Sequence, residues 1–211
     1  MVLEHSFCYC RGMPRPRVHD LDALLDVAER LVAESGAGNV TVRGLAAAAG
    51  VPNGTIYHAF GSLSAVLARV WLRAATAFLD LQTSLVDEAA TPVDAVVAAA
   101  GTPAVFASRR PAAARMLLTV KADRFFGPEL PDELADALHA LDKRLVALLV
   151  RLARMLWDRG DGLAVEVVTT CVVDLPTAFF RRDLTDPLVR DRLAAAVRAV
   201  LTVPPREKDR P

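Results

Sequence analysis

The stretch that decides the fold is Thr41-Val-Arg-Gly-Leu-Ala-Ala-Ala-Ala-Gly-Val-Pro-Asn-Gly-Thr-Ile-Tyr-His-Ala-Phe60. It reads as two short helices joined by a tight turn. Thr41 caps the first, because its side-chain oxygen can accept from a free amide of the opening turn. Leu45 and Ala49 face inward, and Ala46 is small where two helices cross closely. Gly50 occupies the turn, where a positive φ is cheap only for glycine. Val51 fills the angle between the helices. Pro52 sits at the first turn of the second, where no N–H is needed. Ile56 points back to the core. Asn53, Gly54, Thr55, Tyr57 and His58 remain outside, short or polar, on a helix expected to run just over one turn.

Working outward, almost everything from residue 18 reads as helix. Upstream, Leu21, Leu24, Leu25, Ala28, Leu31 and Val32 form one apolar stripe at helical spacing, ended by Gly36 and Gly38. Downstream, Ser62 caps a long helix traced by Leu63, Val66, Leu67, Val70, Ala74, Phe78, Leu81 and Leu85. Thr91-Pro92 opens another, and Gly101 and Pro103 are expected to split it into two short helices before Arg110. Pro111 starts a helix to about Phe126. Residues 132–158 repeat leucine at steps of four and three, which suits packing against another helix. Residues 163–180 are apolar almost all round and must be covered on every side. Pro176 should kink them. Asp186-Pro187 begins a last helix. No β pattern stands out, so the fold class is all-α.

The exposed tip of residues 53–58 has the physics of a DNA reader. Free N–H groups at a helix start favour phosphates, and short outward residues can enter a major groove. The 25 basic and 25 acidic residues sum to zero charge, which argues against a non-specific nucleic-acid coat. Between Ser35 and Leu79, however, no aspartate or glutamate occurs, while Arg43, Arg69 and Arg73 do.

Other classes are disfavoured. A 53% hydrophobic chain of 211 residues is neither disordered nor, with three cysteines, a disulfide-stapled mini-protein. The longest uncharged run, 44–68, carries Pro52, Asn53 and His58 and would insert badly into a membrane. No signal peptide is evident, so a reduced, cytoplasmic setting is expected. The leader holds His5, Cys8 and Cys10 but lacks a fourth ligand, so no metal is expected. Met13 is a second candidate start. The scattered histidines form no nucleophile–base pair, and no glycine-rich phosphate loop occurs, so neither an enzyme nor a cofactor is expected.

Taken in order, Leu-Ala-Ala-Ala-Ala-Gly-Val followed by Thr-Ile-Tyr-His-Ala-Phe-Gly-Ser resembles the TetR family of transcriptional regulators. The resemblance covers residues 18–72 well, and beyond them rests on the all-helical layout. It implies a tail at 1–17, a helix-turn-helix DNA-binding domain at 18–61, a helical ligand-binding and dimerisation domain at 62–203 and a tail at 204–211. It maps DNA contacts onto Thr41, Arg43, Asn53, Gly54, Thr55, Tyr57 and His58. One departure stands out. The family's lysine at the start of the fourth helix is here Leu63, and Arg15 and Arg17 are candidates to replace its phosphate contact.

The expected partners are a double-stranded, palindromic DNA operator, a largely apolar small-molecule effector and a second copy of the chain. The 132–158 and 163–180 helices are the expected dimerisation pair. Phe78, Phe106, Met116, Phe125, Phe126, Met155 and Phe179 are candidates to line an effector site. Asp174, inside an apolar helix, must either pair with an arginine (Arg110, Arg115 or a partner's Arg181) or face a pocket. A helical interaction adaptor with weakened DNA binding is the alternative, on the strength of Leu63.

Overall fold

The computed structural model describes residues 18–119, 130–180 and 186–206, and among these every regular element is helical. The order is α1 (Val18–Ser35), a 3-10 turn (Ala37–Asn39), α2 (Val42–Ala49), α3 (Asn53–Phe60), α4 (Leu63–Asp87), α5 (Pro92–Arg109), α6 (Pro111–Thr119), α7 (Asp132–Trp157), α8 (Gly162–Thr169), a π-helical turn (Thr170–Asp174), α9 (Leu175–Phe179) and α10 (Pro187–Leu201).

The caps form as the sequence suggests. Thr41, Ser62 and Thr91 each accept from the backbone amide three residues on, in Gly44, Ala65 and Asp94, at 3.0–3.1 Å. Asp161 and Asp186 cap α8 and α10 through Leu163 and Leu188. The α1 helix ends at Gly36, whose φ is +82°.

Two cores share the long helix α4. The first gathers α1, α2 and α3 around Leu25, Ala28, Val32, Leu45, Ala46, Ile56 and Phe60, and continues through Val66 and Val70 to Phe106 and Met116. The second packs the rest of α4 against α5, α7, the 162–179 run and α10, with Val96, Leu148, Leu152, Val168, Cys171, Leu193 and Val197 at its centre. The first core therefore runs beyond the three N-terminal helices into the α5–α6 corner. Burial pushes the Cys171 thiol up to about 11, so at neutral pH it is a small apolar core group.

Three expectations are corrected here. First, α5 is one helix from Pro92 to Arg109, with Pro103 inside it. Proline removes the amide that would reach Ala99, and Gln82 of α4 takes its place, with Nε2 donating to the Ala99 carbonyl at 3.0 Å. Second, the 162–179 run continues through Pro176 by a π turn. That wider turn relieves the proline ring, and Thr177 Oγ1 donates to the Val173 carbonyl at 2.7 Å. Third, this run is not covered on every side of the protomer, because Leu163, Glu166, Val173 and Asp174 are exposed. Among the described residues it is also the one helix that meets a length-and-hydropathy test for crossing a membrane, at mean hydropathy 1.5. It passes with Glu166 and Asp174 in it, and its inner face is packed in the second core. The candidate residues Arg15, Arg17, Phe125, Phe126 and Arg181 lie outside the described residues.

Candidate nucleic-acid interface

The interface is built on α2 and α3. Gly50 closes α2 with φ +67°, a left-handed conformation that strains other residues, and its amide bonds back to Ala47. Val51 returns its amide to the Ala46 carbonyl at 3.0 Å. This pairing sets the direction in which α3 leaves. Ile56 is fully buried and Phe60 nearly so, which pins one face of α3 to the core. Gly61, at φ +77°, then turns the chain by 66° into α4.

Pinning that face presents the other. Asn53, Gly54, Tyr57 and His58 are exposed, and Thr55 is half-buried. Tyr57 is 54% exposed, a large aromatic held out in solvent. The helix has eight residues, a little over two turns, so it is longer than the sequence suggests. Pro52 lies at its N-cap, with φ −62° and extended ψ, rather than inside the first turn. No side chain caps the α3 start; the Thr55 amide donates to the Pro52 carbonyl at 3.0 Å, which leaves the Asn53 and Gly54 amides for an external acceptor. A Cβ on Gly54 would meet nothing within 4 Å, and its φ is not positive. The fold therefore has no requirement for glycine there. Thr41 and Arg43 are exposed on the adjacent start of α2.

The charge reading needs a correction. Two of the three arginines in the acid-free window meet acids from distant sequence. Arg69 Nη1 lies 3.4 Å from Glu133 of α7, and Arg73 Nη2 lies 2.7 Å from Asp26 and 3.1 Å from Glu29 of α1. Arg110, at the α5–α6 corner, stands 3.8 Å from the same Glu29. Arg43 alone of the three makes no ion pair among the described residues. An acid-free stretch of sequence is thus not a bare cationic surface. The pairing partners were not visible as local signals, since they lie 44 and 64 residues away.

The candidate effector residues divide. Phe78 and Phe106 meet edge-to-face, with centroids 5.4 Å apart, and Met116 is buried in the same first core. Phe179 flanks the second core instead. Met155 is 37% exposed on α7 and joins neither group. Asp174 is exposed, with no ion pair to a described residue, so it neither pairs with Arg110 or Arg115 nor sits in a dry core. Among the described residues no three His, Cys, Asp or Glu side chains gather as a metal site would require.

Residues 24–70 match the family model described as bacterial regulatory proteins, tetR family. No curated protein matches the sequence. Solved structures share the fold. The TetR-family regulator SCO4454 of Streptomyces coelicolor is similar at 19% identity and TM-score 0.66, over 87% of this chain and 95% of that one. FadR of Bacillus subtilis, solved with stearoyl-CoA, is similar at 20% and 0.59, over 86% and 95%. The superantigen PfiT is similar at 19% and 0.67, over 86% and 96%. At these identities the likeness is one of fold, and the third name shows that the fold serves more than one purpose.

Proposed function

The N-terminal domain of this chain is that of the tetR family of bacterial regulatory proteins, and from that premise we propose that the chain is a ligand-responsive transcriptional repressor. It binds a palindromic operator as a homodimer in the cytoplasm, and a small, largely apolar molecule releases it. It has no catalytic role. The observation that carries the reading is the outward face of α3. Asn53, Gly54, Tyr57 and His58 stand in solvent on a helix whose back is locked by Ile56 and Phe60. Thr55 sits half-buried between them. Side chains of this size at a helix start read base edges, while Thr41, Arg43 and the uncapped α3 amides meet phosphates.

With Arg69 and Arg73 paired to acids and Leu63 in place of a lysine, few cations remain at the interface. Arg15 and Arg17 of the N-terminal segment are assigned to the phosphates beside the reading helix. The expected consequence is a modest dependence on salt.

Release follows from the α5–α6 corner. Phe106 and Met116 belong to the same core as the DNA-reading head, and Arg110 approaches Glu29 of α1. An effector that fits beside Phe78, Phe106 and Met116 better in one corner position than another shifts the head through α6 and α1. The FadR neighbour, with its stearoyl-CoA, supports an apolar ligand for this fold.

The test is a gel shift of the full chain on the DNA upstream of its own gene. Specific binding that Tyr57→Ala and Arg43→Ala weaken supports the reading. Absence of specific binding to any palindromic fragment at low salt supports the adaptor alternative, to which Leu63 lends weight.

A further inference from the structure

Between α4 and α5 lies one polar side chain with half of its hydrogen bonding unmet. Gln82 is 3% exposed, and its Nε2 donates to the Ala99 carbonyl at 3.0 Å. Its Oε1 is the one buried side-chain oxygen among the described residues without a hydrogen-bond partner. Rotating the amide does not cure this, because it sets that oxygen against the Ala99 carbonyl, acceptor to acceptor. Pro103 has no N–H to offer the carbonyl, so Ala99 holds the amide in this orientation. The Gln82 oxygen therefore faces away from Ala99 as an acceptor, and a buried acceptor left unmet is costly.

The hydroxyls nearby are spent. Thr102, buried on α5, gives its proton to the Ala98 carbonyl, and Thr83, next to Gln82 on α4, gives its own to Leu79. Arg73, whose buried Nε also has no hydrogen-bond partner, is rooted about 13 Å back along α4. No lysine or arginine is among the buried residues described, and the one buried acid, Glu29, faces Arg73 and Arg110 in the first core. One turn before Gln82 on the same side of α4 stands Phe78, half-buried and edge-on to Phe106. An aromatic wall that reaches solvent thus leads to a neutral acceptor beside Leu79, Val86 and Ala99 of the second core.

We propose that Gln82 Oε1 accepts a hydrogen bond from the effector, which is a neutral apolar molecule carrying a hydroxyl group. The inference rests on the ligand-responsive reading above and names the chemistry that the site selects. The apolar body lies against Phe78 and Phe106, and the hydroxyl reaches one turn further along α4. A hydroxyl suits this acceptor better than other groups. An amide brings a carbonyl for which neither threonine has a proton left. An ammonium brings a charge that no buried acid is free to meet, and a carboxylate sets an anion against the oxygen. An analogue without the hydroxyl proton leaves the acceptor unmet, so the site discriminates by that one atom.

The test is calorimetric titration of the full chain with straight-chain and phenyl-substituted primary alcohols, each beside its methyl ether and its carboxylate counterpart. At least one alcohol is expected to bind at least about tenfold more tightly than its ether and its carboxylate. Gln82→Leu/Pro103→Ala isolates the oxygen, because the restored amide of residue 103 serves the Ala99 carbonyl while the acceptor is removed. In that variant, checked as folded by circular dichroism, alcohol and ether are expected to bind alike. Gln82→Met/Pro103→Ala, nearer in shape, repeats the comparison. Equal affinity for alcohol and ether in the wild type, a preference that survives both double variants, or binding of no alcohol overturns the proposal. DNA release is read separately, by anisotropy on the chain's own upstream DNA. An alcohol that binds through Gln82 yet leaves the DNA complex intact overturns the ligand-responsive reading and leaves the Gln82 contact standing. An ether that releases DNA as well as its alcohol leaves that reading standing and overturns the role of Gln82.

Discussion

Arg73 of α4 holds Glu29 of α1 at 3.1 Å, and the Glu29 side chain is only 12% exposed. This contact joins the DNA-reading head to the long helix that both cores share, and Arg110 closes in on the same carboxylate from the α5–α6 corner. Removing Arg73 leaves a largely buried carboxylate with one partner at 3.8 Å. Arg73→Ala is therefore expected to lower stability by about 1–3 kcal/mol in urea melts. Glu29→Gln, which keeps the shape and removes the charge, is expected to lose less. Equal losses for the two variants speak against a charge-based clasp.

Gln82 and Pro103 form a second coupled pair, although they do not share an element. Gln82→Leu strips the Ala99 carbonyl of its donor and is expected to cost about 1–2 kcal/mol. Pro103→Ala returns a backbone amide to that turn. In the double variant, about 1 kcal/mol of the loss is expected to return, read from a double-mutant cycle of urea midpoints. Strict additivity refutes the substitution of side chain for backbone.

Gly54 separates fold from function. Its Cβ position is open and its φ unstrained, so Gly54→Leu is expected to leave the melting temperature unchanged or raised, by up to about 1 kcal/mol from helix propensity. The same side chain stands between α3 and a groove. DNA affinity is expected to fall at least about tenfold, or 1.4 kcal/mol. Unchanged affinity moves the reading face elsewhere.

Asp161 makes the fold acid-sensitive in one window. Hydrogen bonds from Arg159, and then from the Ala164 and Leu163 amides, hold its carboxyl at about 2, below the usual 3.8. A depressed carboxyl contributes stability above its unfolded value, and that contribution is lost as pH falls from about 4 towards 2. In Asp161→Asn the loss of stability between pH 4 and pH 2.5 is expected to be smaller than in the wild type. An identical loss in both proteins contradicts this assignment.

The local signals were legible, and the distant ones were not. Thr41, Ser62, Thr91 and Gly50 act through neighbours within four residues, and their roles follow from residue type and spacing. Pro103 was misread because its compensation comes from Gln82, on another helix. The bare charge of Arg69 and Arg73 was misread because Glu133 and Glu29 arrive only when the chain folds. For Asp174 the apolar neighbours in sequence suggest an arginine partner or a pocket, whereas the fold leaves it exposed at the end of the π turn. The α3 tip is legible because burial of one face, at Ile56 and Phe60 one turn apart, and exposure of the other is itself a helical period.

The central claim is that α3 reads duplex DNA. Its most direct measurement is selection of fragments from a random duplex pool by the purified chain, followed by anisotropy titration of the selected site with Tyr57→Ala and Asn53→Ala. The account predicts an inverted repeat and a loss of about 1–3 kcal/mol for each variant. Selection of no common sequence, or full affinity in both variants, contradicts it.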